Sequence, residues 1–217
     1  IKMTRGTLVL QQDSWISTQV ALSGASVLEP HAGLAIGGEL RLENSRLRTL
    51  GSVVVDGPAT MLDQGANTPG FDGSGAVYLR QGSQLTGTEV GLGGIQLRLA
   101  GTHLWSSHVR FDGTGPSSLN VDAGATLEWQ HAASTGEWLL TGLGTNPTNG
   151  TQFSNYGTLL KTGPGRLAIA NLVFDNAGSL EILEGRLNLR SPGTHDGTIT
   201  IGPDGTLAVG QLQSTQP

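Results

Sequence analysis

Apolar residues in this chain come in short alternating runs, each preceded by a glycine. Gly165-Arg166-Leu167-Ala168-Ile169, Gly185-Arg186-Leu187-Asn188-Leu189 and Gly205-Thr206-Leu207-Ala208-Val209 begin 20 residues apart, twice in succession. Alternate residues of a strand face opposite sides. Leu167, Ile169 and their counterparts therefore point one way, and Arg166, Arg186 and Asn188 point the other. A second ladder runs between the first: Gly157-Thr158-Leu159, Gly178-Ser179-Leu180-Glu181-Ile182 and Gly197-Thr198-Ile199-Thr200-Ile201. Two interleaved ladders with one period predict the coil of a parallel β-solenoid, whose rungs stack at about 4.8 Å. No single coil can bury its apolar face, so stability must come from stacked neighbours.

Upstream the pattern loosens without changing kind. Leu40/Leu42, Val53/Val55, Val77/Leu79, Leu97/Leu99, Leu119/Val121 and Leu127/Trp129 are alternating pairs near glycine. Phe71-Asp72-Gly73 returns as Phe111-Asp112-Gly113, two coils later. Phe153 and Phe174, and Asn155 and Asn176, are expected to stack at a corner. Residues 58–72 and 130–151 break the regularity and are expected to be corner loops. The prediction is one all-β domain over residues 1–217: a right-handed parallel β-helix of nine to eleven coils. A β-sandwich also needs many short strands, but it does not repeat the same residue types at constant spacing.

Composition agrees. Of 217 residues 34 are glycine, and only 13% are charged. Glycine at that density would cost about 1 kcal/mol per occurrence inside helices, and the low charge argues against disorder. No apolar run approaches the ~18 residues of a membrane helix, so no membrane insertion is expected. The net charge of −5 disfavours nucleic acid and anionic membranes as partners. Without cysteine there is no disulfide framework and no thiolate metal site, a composition compatible with export through an oxidising compartment.

The run Gly157-Thr158-Leu159-Leu160-Lys161-Thr162-Gly163-Pro164-Gly165-Arg166-Leu167, with Asn176-Ala177-Gly178 and Gly185-Arg186-Leu187 after it, resembles the repeat of bacterial autotransporter passengers and related surface adhesins. The specific resemblance covers about a quarter of the chain. It implies a right-handed β-helix displayed outside the cell as a stalk or adhesive surface. No catalytic residues carry over, because the matching positions are turns and core.

Other motif fragments dissolve on inspection. Gly163-Pro164-Gly165-Arg166-Leu167-Ala168 fits a loose dinucleotide pattern, but a strand follows where a helix N-terminus would be needed. The Asp-Gly pairs at Asp56, Asp72, Asp112, Asp196 and Asp204 read as turn chemistry, since calcium needs six or more oxygens. The five histidines have no metal spacing. Neither metal nor cofactor is expected. Asn149-Gly150-Thr151 is a glycosylation sequon that matters only in a glycosylating host.

If the chain were a carbohydrate-active enzyme, its acids would come from the least regular region: Asp112, Asp122, Glu128 and Glu137. Hydrolysis needs two carboxylates about 5–9.5 Å apart. The candidate ligand-binding residues are Arg166 and Arg186, which share an outward column beside Glu184, and Trp105 and Trp138, which flank irregular stretches. Trp129 has the parity of Leu127 and is assigned to the core.

The sequence therefore leads to a non-catalytic structural and adhesive module of a bacterial surface or secreted protein. Its expected partners are a host surface or glycan, and its own kind. Neither end carries a dedicated cap, so the chain is expected to stack end to end or to continue a longer solenoid. The alternative is a β-helix polysaccharide lyase or glycosidase, or a phage-type glycan-binding fibre. On parity alone, Leu187→Asp is expected to be damaging and Asn188→Asp nearly silent.

Overall fold

The computed structural model describes residues 1–65, 67–112, 115–132, 136–142 and 150–210. Among them are 24 strands and no helix, and adjacent rungs pair in parallel. One turn shows the plan. Val20–Ser23 lies on a first face, Ser26–Pro30 on a second and Leu34–Ile36 on a third. The next turn repeats it with Leu40–Glu43, Arg46–Thr49 and Ser52–Val55, so that Val20 pairs with Leu40 and Leu34 with Val53. About ten such turns of about 20 residues each form a β-solenoid. The corner between the first two faces passes through left-handed backbone at Gly24, Ala25 and Asn44, a conformation that glycine and asparagine adopt most readily.

Alternation along each strand makes the core. On the first face one inward column runs Leu42, Met61, Leu85, Trp105, Trp129, Lys161, Ile182. On the second, Leu167 pairs with Leu187 and Leu187 with Leu207, and Ile169, Leu189 and Val209 follow in the same register. Those are the columns that parity required. On the third, Phe153 stacks on Phe174 with ring centroids 4.9 Å apart, and Asn155 Nδ2 donates to Asn176 Oδ1 at 2.7 Å. These pairs stand within Gln152–Asn155 and Val173–Asn176, on a sheet face and not at a corner. The Gly157, Gly178, Gly197 ladder has its own cause. A Cβ at Gly178 or Gly197 would collide with the carbonyl of the glycine one rung before it.

The irregular stretches are shorter than their composition suggested. Ala59–Leu62 is a rung inside 58–72, Gly70–Gly73 begins within it, and Glu137–Thr141 is a rung inside 130–151. Proline marks these places without ending the sheet, because its carbonyl still pairs: Leu40 N donates to Pro58 O and Gly91 N to Pro69 O. The sequence spacing between paired rungs is not constant: Ala59 pairs with Ser83 and Thr126 with Thr158. Asn149, Gly113 and residues 211–217 lie outside the described residues.

Candidate functional site

The strands of the third face hold the polar cluster best suited to meet a ligand. Val77 and Leu79 point inward, which turns Tyr78 outward; the same alternation exposes Arg98 and Asn120 on the next two rungs. Asp122 follows immediately after Ser118–Val121, and Tyr156 occupies the corresponding position one rung on, where its N donates to Val121 O. Arg98, Asn120, Asp122, Ala123 and Tyr156 line an open groove of about 640 Å³.

Asp122 organises the near side of this groove. Its Oδ1 accepts from Arg98 Nε at 3.2 Å and Nη2 at 3.0 Å, and its Oδ2 accepts from Arg98 Nη2 and the Tyr78 hydroxyl, both at 2.9 Å. A forked guanidinium on a carboxylate is a stiff unit. The Arg98 guanidinium also covers the Tyr78 ring, 4.6 Å from its centroid, a cation–π contact. Donation to Asp122, helped by desolvation, pushes the Tyr78 hydroxyl pKa above its usual value. With three donor atoms making four hydrogen bonds to its two oxygens, Asp122 has little capacity left to act as a base. Tyr156, by contrast, is 55% exposed.

The four carboxylates singled out from the sequence are not brought together. Asp112 ends a second-face rung and binds Arg46 Nη2 at 3.0 Å. Asp122 sits past the third face. Glu128 lies on the first face, where it accepts from the Thr162 hydroxyl at 2.7 Å. Glu137, on the second face, pairs with Arg190 at 2.8 Å and also accepts from Asn188 Nδ2. Each is committed to a donor belonging to another rung.

The aromatic candidates are corrected more sharply. Trp105 is fully buried, packed edge-on against Trp129 at 5.6 Å, with Nε1 donating to Ser83 Oγ at 3.0 Å. No sugar can reach it. It shares the inward parity of His103, a signal outweighed by its position beside an irregular stretch. Trp138 is partly buried on the column above Leu167 and stacks on His131 at 4.1 Å; it is not an open platform either. Trp129 is core, as its parity required.

Arg166 and Arg186 do share an outward column. Arg186 takes its partner on its own strand rather than from Glu184: its Nε donates to Asn188 Oδ1 at 2.7 Å. Asn188 points outward yet is only 6% exposed, wedged between Arg186 and Glu137. Outward parity therefore does not make Asn188→Asp silent, because the new carboxylate would meet Glu137.

Comparison with protein-family models, with curated proteins and with solved structures gave no match. Tyr78 and Tyr156, its only two tyrosines, were missed as site residues, although the outward parity of Tyr78 between Val77 and Leu79 was legible. The pairing of Tyr156 with the Asp122 rung was not, because Ser118 pairs with Gln152 across a far wider sequence spacing than Gln96 with Ser118.

Proposed function

We propose that this chain is a non-catalytic structural and adhesive module of a bacterial surface or secreted protein, the class that the repeat at residues 157–210 resembles. The observation that carries the reading is the use made of outward charge. Arg46 with Asp112, Arg98 with Asp122, and Glu137 with Arg190 each tie one rung to another along the axis. The side chains that a hydrolase or lyase would keep free serve here as wall fastenings. The absence of cysteine suits export.

The terminal rung adds support. Ile199 and Ile201 occupy inward columns, yet they are 41% and 49% exposed, with no rung beyond them among the described residues. Exposed strand edges and apolar columns favour another rung of the same kind. In the isolated chain a second copy would supply that rung. Sedimentation across a concentration series tests the stacking, and incubation with polysaccharides tests the absence of catalysis. Concentration-dependent association without new reducing ends or unsaturated products is expected. A monomer at every concentration would overturn the stacking, and product formation would overturn the non-catalytic reading.

A further inference from the structure

We infer that the third-face groove between Arg98 and Tyr156 is a binding site for a neutral, hydroxyl-rich glycan. The groove has one exposed aromatic face, one rigid polar wall and no net charge of its own. Tyr156 presents the aromatic face, against which the C–H side of a pyranose can lie, much as apolar groups pack on aromatic rings elsewhere. Arg98 and Asp122 cancel each other's charge and fix each other's orientation.

The remaining hydrogen-bonding capacity suits vicinal hydroxyls. Arg98 uses Nε and Nη2 on Asp122, leaving Nη1 without a partner among the described residues. Asn120 Nδ2 makes only a 3.4 Å contact with Ser118 Oγ, so its amide retains both a donor and an acceptor. A hydroxyl is donor and acceptor at once, and the Asn120 amide beside the Arg98 Nη1 donors matches an adjacent pair of them. Rungs spaced at about 4.8 Å place Tyr156 directly beside Asp122 and Arg98 two rungs from Tyr156. The recognition elements thus lie along the solenoid axis, in the direction a linear chain would take. An acidic glycan is disfavoured because the guanidinium is already neutralised and the chain carries a net −5.

The test uses the whole chain in affinity electrophoresis through gels containing soluble neutral glucan, mannan or galactan, with polygalacturonate as the acidic comparison. Retardation by at least one neutral polymer is expected, with little by polygalacturonate. Tyr156→Ala and Asn120→Ala should each weaken that retardation about tenfold, while Gln84→Ala, exposed on the first face, leaves it unchanged. Circular dichroism and melting of each variant separate lost binding from lost fold. Absence of retardation by every neutral polymer, retardation by polygalacturonate alone, or full retention in a folded Tyr156→Ala variant would each overturn the site. Cleavage of a bound polymer would instead refute the non-catalytic reading and leave the binding site standing.

Discussion

Arg46 reaches Asp112 at 3.0 Å although they are 66 residues apart, because the two rungs between them carry glycine in the Arg46 column. Gly70 and Gly91 leave a furrow along which the guanidinium extends, touching Asp72 at 3.3 Å on the way. A Cβ at Gly91 would lie 2.7 Å from Arg46 Nη2 and 2.9 Å from Asp112 Oδ2. Arg46→Ala would leave Asp72 with Arg48 at 3.0 Å and Asp112 with Arg110 at 3.9 Å, two largely buried carboxylates each short of a partner, a loss of about 1–3 kcal/mol. The more exposed Arg98 should cost at most about 1 kcal/mol when truncated. Chemical denaturation of both variants checks the order, and Arg46→Lys should not rescue, since a shorter side chain with one nitrogen cannot reach Thr68 O, Asp72 and Asp112 as the separate guanidinium nitrogens do. Equal losses for Arg46→Ala and Arg98→Ala would contradict the furrow account.

His103 is the acid-sensitive point of the core. Its Nε2 faces Ala100 O at 3.1 Å and must carry the proton, while Nδ1 accepts from the Ser83 hydroxyl at 2.8 Å. Ser83 Oγ in turn accepts from Trp105. Burial pushes the His103 pKa down from 6.5 to about 4. Between those values the unfolded chain holds more protons than the folded one, so stability falls as pH drops from 6.5 toward 4. Imidazole NMR should show the Nε2–H tautomer and a titration midpoint near 4; a midpoint near 6.5 would refute the burial argument.

Lys161 gives the opposite end of the pH scale a signature. Its side chain occupies a core column between Trp129 and Ile182, fully buried, and Nζ donates to Thr162 O, Gly163 O and Glu184 O at 2.9, 2.6 and 3.1 Å. Desolvation lowers its pKa from 10.5 to about 8. The folded chain therefore loses this proton first, and stability should rise with pH above about 8. Melting temperatures from pH 7.5 to 9.5 should climb for the natural chain and stay level for Lys161→Met. An equal climb in the variant would assign the effect elsewhere.

Leu187→Asp places a carboxylate between Leu167 and Leu207 on a buried column and should cost several kcal/mol. Asn188→Asp, beside Glu137, should cost about 1 kcal/mol through like-charge repulsion and a lost donor. Its penalty should shrink at low pH, where a carboxyl can be protonated. Leu183, 46% exposed, serves as the tolerant control. Denaturant midpoints that rank the three otherwise would disprove the burial order.

The fold was legible because a solenoid has few degrees of freedom. Once Leu167, Leu187 and Leu207 recur at one parity and one period, parallel stacking is the arrangement that buries them all. The rungs at Ala59–Leu62 and Glu137–Thr141 were hidden by nearby proline and by uneven spacing between rungs, which mask periodicity without abolishing pairing. Lys161 shares the parity of Leu159, but a charged side chain gives no sign that three carbonyls wait inside to receive it.

The candidate site divides along the same line. Period and parity alone determined which residues face the core and that the chain forms coils, because backbone pairing and apolar burial act through near-constant spacings. Which rung pairs with which across unequal sequence spacings, and hence which outward residues become neighbours, was decided only in three dimensions. Tyr78, Arg98, Asp122 and Tyr156 come from four successive coils of unequal length, and Arg46 crosses two glycine rungs to find Asp112. Side-chain reach along the axis depends on the size of every residue it passes, and that is a property of the stacked wall rather than of any segment within it.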